Sequence, residues 1–399
     1  MKIVQKSELK GILVLFLVGV TLIGLIMAAT GELEWLGFTG PKALDKIIFV
    51  SNRSGSNEIY SMNLDGSEQK QLTNGVKVLS APTISPLGNH IAFIGIYNQS
   101  SQVLAIGATG GKLTQLTNAT GPKSWPAYSP NGKNMAFIAG GKIYVADIEG
   151  NDPHLVLPSE EEIHSSMSSA TERSELPAYH EFAWAPNGSS LVAVSKDKDG
   201  NDTLVYLSDL HGDVVPLTGV VKDSKGSDVL FFNSGQADKP QLLMPVPSGQ
   251  NARISDIAWA VDKPLLAISI IVGRTSVLML LDADQGKLEP ITADKNAEFE
   301  SISLSPDGSQ LVLAGKFSGK ESSEGILKLD LQSKEMQPLI VGSYKNPVFS
   351  PSGDKIAAVW EKDKDKRQVV VIDTATGEVE SLASQGQCFD AIWSPASKK

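Results

Sequence analysis

The amino-acid sequence predicts an all-β fold, a seven-bladed β-propeller of four-stranded blades with C-terminal strand closure, preceded by one N-terminal transmembrane helix. Three observations predict it. A short motif built on Ser-Pro and a tight turn returns through most of the chain. Each full copy leads into an apolar run, and most of the resulting units end in Leu-Thr or Ile-Thr. Near the N-terminus lies an uncharged apolar stretch of bilayer length.

The N-terminal stretch runs from Ile12 to Ala29. As a helix it spans about 27 Å, close to the hydrocarbon thickness of a membrane. Lys2, Lys6 and Lys10 precede it and Glu32 and Glu34 follow it. The positive-inside rule therefore keeps residues 1–11 in the cytoplasm and exports everything after Thr30, to a periplasmic or extracellular site. Small residues at Ala28 and Ala29 allow a competing reading, a cleaved signal peptide, but its apolar core runs only about 7–15 residues and this one is longer. No cysteine lies near residue 30, which excludes a lipoprotein-type anchor. The expected organisation is residues 1–11 cytoplasmic, 12–29 anchor, 30–45 linker and 46–399 propeller.

The repeat motif reads ISPLGNHIAF from Ile84, YSPNGKNMAF from Tyr128, WAPNGSSLVA from Trp184, LSPDGSQLVL from Leu304 and FSPSGDKIAA from Phe349. A degenerate copy, WAVDKPLLA, starts at Trp259 and a truncated one, WSPA, at Trp393. Successive anchors stand 44, 56, 75, 45, 45 and 44 residues apart. Proline fixes φ at the corner where a strand ends, and Asn-Gly or Asp-Gly supplies a hairpin turn. The runs that follow are apolar throughout rather than alternating, as a strand buried on both faces requires. The closing strands end at Leu72-Thr73, Leu116-Thr117, Leu217-Thr218 and Ile291-Thr292. Four short strands per unit make a propeller blade.

The propeller region opens in mid-blade at Ile47 and ends on an anchor strand, Phe389 to Pro395. Pairing the two makes a composite blade that removes both free edges, giving seven with the six complete ones. Two links between blades are long: Leu157 to Trp184 is 27 residues and Leu217 to Trp259 is 42, against 12 or 13 elsewhere. The second contains VLFFNS and QLLMPVPSG, which read as a hairpin insertion. An incomplete eighth blade anchored near Lys222 is the alternative, but Lys222 follows Leu217 by only 5 residues.

These motifs resemble the TolB-type propeller repeat, with its Ser-Pro-Asp-Gly turn and Asp-Gly…Leu-Thr end. The resemblance covers Lys46 to the C-terminus and implies the propeller fold. That family carries a small α/β domain ahead of its propeller, whereas here residues 30–45 alone separate the membrane segment from the first strand. Its role in the Tol–Pal system is therefore not carried over.

Composition excludes several functions. The net charge is −10; residues 1–30 hold three lysines and one glutamate, or +2, leaving −12 on the rest. Such a surface repels phosphate backbones, so nucleic acid is not an expected partner. With Cys388 alone, no intrachain disulfide forms. Neither a nucleophile elbow, a zincin motif, a phosphate-binding loop nor a Cys-x-x-Cys pair is present. His90, His154, His164, His180 and His211 stand singly, without metal-ligand spacing. Asp197 to Asp202 carries enough carboxylates to raise calcium, yet its glycine is misplaced for an EF-hand loop, and other blades carry similar loops. Trp184, Trp259 and Trp393 belong at or beside anchors, where blade packing accounts for them; Trp125 and Trp360 complete the set that would suggest a carbohydrate platform. Five Asn-x-Ser/Thr sequons, at Asn52, Asn98, Asn118, Asn187 and Asn201, matter only in a glycosylating host.

The insertion from Ser159 to His180 stands out, because long loops in a terse repeat protein are often functional. Glu160, Glu161, Glu162 and His164 are the expected partner-binding residues. The function expected is a non-enzymatic protein–protein interaction module or accessory subunit of an envelope or membrane complex. No cofactor or metal is expected. The alternative is a propeller enzyme or small-ligand (sugar or peptide) binder acting at the central channel.

Overall fold

The computed structural model describes residues 45–118, 121–168, 176–210, 212–233, 240–295, 297–317, 323–363 and 365–395. The expected cytoplasmic segment, transmembrane helix and linker, Asp45 apart, lie outside these residues. Among the described residues no helix is long and apolar enough to cross a membrane.

Among the described residues thirty strands form seven antiparallel sheets. The chain enters through β1 (Lys46–Ser51), β2 (Glu58–Asn63) and β3 (Lys70–Gln71). Blade 1 follows with β4 (Thr83–Ile84), β5 (His90–Tyr97), β6 (Ser100–Gly107) and β7 (Thr114–Gln115), and blade 2 with β8 (Lys123–Tyr128), β9 (Asn134–Ala139), β10 (Lys142–Asp147) and β11 (His154–Leu157). Helix α1 (Glu160–Ser168) then leads to blade 3, made of β12 (Ala178–Trp184), β13 (Leu191–Lys196), β14 (Asp202–Leu207), β15 (Val214–Lys222), β16 (Asp228–Phe232) and β17 (Gln241–Pro245). Blade 4 comprises β18 (Ala252–Trp259), β19 (Leu265–Val272), β20 (Thr275–Asp282) and β21 (Lys287–Lys295). Blade 5 comprises β22 (Glu298–Leu304), β23 (Gln310–Phe317), β24 (Ser323–Asp330) and β25 (Met336–Val341), and blade 6 β26 (Tyr344–Phe349), β27 (Lys355–Asp363), β28 (Lys366–Asp373) and β29 (Val379–Ala383). The last strand, β30 (Cys388–Trp393), pairs beside β1 and completes blade 7 in the order β3-β2-β1-β30.

The repeat motif works as its chemistry requires. In each Ser-Pro-x-Gly turn the glycine holds positive φ, from +67° at Gly308 to +78° at Gly353, where a side chain would be strained. The serine hydroxyl accepts the backbone N–H that re-enters the sheet: His90 N to Ser85 Oγ at 3.1 Å, Asn134 N to Ser129 Oγ at 2.9 Å and Gln310 N to Ser305 Oγ at 2.9 Å. The closing threonines act similarly at the opposite end. Thr73 Oγ1 accepts from Ile59 N at 2.9 Å and donates to Glu58 Oε2 at 2.6 Å, and Thr117 Oγ1 repeats this with Val103 N and Gln102 Oε1. In blade 3 the matching acid is the shorter Asp202, which turns elsewhere, and Thr218 Oγ1 is left buried without a partner.

Packing lies between blades, not within one central core. One cluster joins Ile47, Phe49 and Trp393 of blade 7 to Ala357, Val369 and Val371 of blade 6. Another joins Ile48 and Ile59 to Ile91, Phe93 and Leu104 of blade 1. Ile91, Ala92, Phe93 and Ile94 are all buried in consecutive positions, so both faces of β5 are covered. Each such aliphatic or aromatic side chain contributes about 1.5–3 kcal/mol on burial.

There are seven blades; the eighth-blade alternative is overturned by the register of β15. Its first half pairs with β14 from Leu207↔Val214 to Leu204↔Thr218, and its second half pairs with β16 from Thr218↔Phe232 to Lys222↔Asp228. Lys222 is thus the end of a strand, and β16 and β17 widen blade 3 to six strands. Leu230, Phe232 and Val246 of this hairpin bury against Ile254, Ile270 and Val272 of blade 4.

Antiparallel order gives the ring two faces. The Ser-Pro turns mark one, and Lys46 and Ser394 meet there through Lys46 N to Ser394 Oγ and Ser394 N to Lys46 O, each 2.9 Å. The opposite face carries the hairpins between second and third strands, the links between blades, and both insertions, α1 and the β16–β17 hairpin.

Candidate functional site

The seven strands nearest the axis are β4, β8, β12, β18, β22, β26 and β30. In six of them the pairing register slips just before the anchor: between Ser124 and Ala127, Tyr179 and Glu181, Ile254 and Asp256, Phe299 and Ser301, Lys345 and Val348, and Cys388 and Ala391. A bulge re-aims the side chain it carries. Trp125 and Asn346 adopt φ of +52° and +51° at these slips. The position three residues before each anchor thereby becomes an axial ring: Trp125, Glu181, Asp256, Ser301, Asn346 and Asp390, with Ala81 in blade 1.

Several members staple one blade to the next. Trp125 Nε1 donates to Phe182 O at 2.8 Å, Ile302 N to Asp256 Oδ2 at 2.8 Å, Asn346 N to Ser301 Oγ at 3.3 Å and Asn346 Nδ2 to Asp390 Oδ1 at 2.5 Å. Asp256 also accepts from Ile257 N at 2.8 Å. Glu181 differs: it is 8 % exposed and accepts no hydrogen bond from any described residue.

Electrostatics follow from that placement. Burial, with the neighbouring charges of Asp256 and Asp202 adding to it, pushes the Glu181 carboxyl up to about 8. Burial raises Asp256 to about 7 against the two backbone N–H groups that favour its ionised form. Its surface is part-exposed. Burial lowers His180, whose Nε2 stands 3.7 Å from Asp202 Oδ1. Asp202 is saturated: Lys196 Nζ lies 2.8 Å from its Oδ1, and Ile254 N donates to its Oδ2 at 2.9 Å.

The four residues expected to bind a partner fall into two groups. Glu160, Glu161 and His164 stand exposed on α1. Glu162 turns inward and completes a capping box: Ser159 N donates to Glu162 Oε2 at 2.7 Å, and Glu162 N donates to Ser159 Oγ at 3.2 Å. Its other oxygen accepts from Tyr179 OH at 2.9 Å, tying the helix to the inner strand of blade 3. Asp197 spends its carboxylate on the turn, accepting from Asp199 N and Asn201 N, and no metal-holding cluster occurs among the described residues. Trp184 and Trp393 donate from Nε1 to Ala127 O and Val348 O of the preceding blade, whereas Trp259 Nε1 is buried without a partner. Trp360 stacks on Tyr344 with ring centres 6.0 Å apart. Trp125 alone of these carries its indole onto the axial ring, 44 % exposed.

Two cavities lie on the rim instead. One of about 560 Å³ between blades 6 and 7 is lined by Arg53, Gln69 and Gln71, and its guanidinium is already held by Gln69 Oε1 at 2.6 Å and by the Tyr60 ring. The other, about 440 Å³ between blades 1 and 2, has an apolar lining from Leu87, Ile106, Leu116 and Ile148. The second also carries His90, Lys112 and Glu149 on its wall. Sequence reasoning singled out α1 and missed the ring, although aligning the seven anchors exposes it as one column.

The fold and its ring define an axially organised β-propeller. No family model matches the chain. A "Protein TolB homolog" of Chlorobium chlorochromatii (strain CaD3) is 46% identical over 57 residues, which is 14% of this chain and only 13% of that protein's length. Among solved structures, a puromycin hydrolase mutant aligns with a TM-score of 0.56 and 14% identity over 87% of this chain and 53% of its own. A dihydro-heme d1 dehydrogenase aligns with a TM-score of 0.55 and 14% identity over 88% of this chain and 75% of its own. At that identity the structures share the fold alone. The chain is a seven-bladed β-propeller that is similar to TolB homologues over one short segment.

Proposed function

We propose that this protein is a membrane-anchored, extracytoplasmic β-propeller that serves as a non-catalytic interaction module, or accessory subunit, of an envelope or membrane complex. One observation carries the reading: the two insertions that break a terse repeat both emerge on the face opposite Lys46 and Ser394. A tether entering at Lys46 leaves that face free for a partner. The TolB-like repeat supports a protein-binding role by likeness over a short segment, and the Ile12–Ala29 stretch with its flanking lysines supports export with the N-terminus retained inside.

Deleting residues 160–176 from the full chain, followed by crosslinking in the native membrane, tests the docking face. Loss of the crosslinked partner supports it, and unchanged recovery contradicts it. A second reading, a propeller enzyme or small-ligand binder, draws on Glu181 and Asp256, two raised carboxyls on adjacent inner strands.

A further inference from the structure

We propose that the axial ring at Trp125, Glu181 and Asp256 binds a protonated primary amine, supplied by a lysine side chain of the partner. The inference rests on the interaction-module reading and adds the chemistry of recognition. Glu181 is nine-tenths buried, and no described residue donates to it. The described buried polar atoms sealed without a partner are Thr218 Oγ1 and Trp259 Nε1, so the Glu181 carboxyl still meets solvent. From an inner strand beside Asp256, that solvent is the axis. A carboxyl held this way is costly until a cation completes it.

No described residue supplies that cation. Every charged group acting on Glu181 directly is acidic: Asp256 across the blade boundary and Asp202 behind it. Lys196 and His180, the basic groups beside them, are directed to Asp202. A bare metal ion fits poorly, because it requires several oxygen or nitrogen ligands and no set of three stands close enough among the described residues. An ammonium needs fewer. Its three N–H groups match carboxyls on two neighbouring blades, whereas a guanidinium fork suits one bidentate carboxylate. Trp125 supplies the remaining wall: its indole is pinned to Phe182 O, one residue from Glu181, and an exposed indole face attracts a cation.

Because both carboxyls hold protons near neutrality, amine binding releases protons and tightens as pH rises from about 6 to about 8.5. Calorimetric titration of the full chain in mild detergent with a tetralysine peptide tests this, run in two buffers of different ionisation heat at about 0.15 M salt. The expected result is saturable binding with proton release. Glu181→Gln, Asp256→Asn and Trp125→Leu should each weaken it, the carboxamides by at least about tenfold. Glu335→Gln and Glu380→Gln, exposed on the outer edges of blades 5 and 6, should leave it unchanged. The carboxamide variants relieve repulsion, so retained melting temperature certifies their fold.

Equal binding of the side-chain-acetylated peptide, wild-type affinity in the ring variants, or calcium chloride binding there in place of the peptide would each overturn the site. Spermidine binding as tightly as tetralysine would overturn the assignment to a partner's lysine and point to a free polyamine. If tetralysine fails while membrane crosslinking still recovers a partner, the amine site falls and the module reading stands. Absence of any crosslinked partner defeats the module reading itself.

Discussion

Glu181 is a buried carboxyl whose burial and acidic neighbours disfavour its charge. Its carboxyl titrates near 8 in the folded chain against an ordinary 4.5, so the native state binds the extra proton. The sign follows: stability from this group is fully present below about 4.5 and is lost as pH rises through about 8. Asp256 acts the same way with its value near 7. Melting temperature should therefore fall between pH 6 and pH 9. Glu181→Gln should flatten that fall and melt several degrees above wild type at pH 9. A variant as pH-sensitive as wild type would show that the pH dependence lies elsewhere. Gly150 is a second decisive residue: φ is +85°, and an added Cβ would sit 2.3 Å from the backbone oxygen of Leu116. Gly150→Ala should cost about 1–3 kcal/mol, read from the urea midpoint.

Among the elements, the β16–β17 hairpin and α1 are the additions to the repeat. The hairpin is held by apolar burial: Phe232 is 5 % exposed in a cluster shared with blade 4. Phe232→Ala should cost about 3–5 kcal/mol in denaturant unfolding, whereas a free appendage would lose nothing. Helix α1 is held by its capping box, so Glu162→Ala should lower stability by about 1 kcal/mol while Glu162→Gln retains most of it.

How far these elements were legible in the sequence depends on periodicity. The Ser-Pro turns announced most anchors because their glycines and serines are locally required; Trp259, followed by Ala-Val-Asp-Lys, was placed by spacing and its apolar run. The hairpin was legible as two apolar runs, but its attachment was not, since β15 continuing past Leu217 to Lys222 depends on pairing with a distant strand. The axial ring shows as a column three residues before each anchor, but strand periodicity does not announce it. A bulge changes which side chain faces the axis, and period-two reasoning carries no signal for a slip at Tyr179 and Glu181. Glu162 read as a partner-binding residue because Tyr179, the residue it bonds, is remote in sequence.

For the whole molecule, closure is the constraint that makes seven separate sheets one body. β30 pairs with β1 through Ile47↔Trp393, Ile48↔Ile392 and Phe49↔Ala391, and Gly88 of blade 1 would place a Cβ 3.5 Å from Pro395 of blade 7. Removing residues 388–399 should leave β1 an open edge and give a protease-sensitive, aggregating chain. A closed ring with insertions on a single face is built to present a surface, and the proposal is that this surface holds a protein partner at the membrane. The native mass of the protein, extracted from its own membranes in mild detergent after crosslinking, tests that most directly. The account predicts a discrete species well above the monomer, diminished when residues 160–176 are removed. A monomer without crosslinks would contradict it.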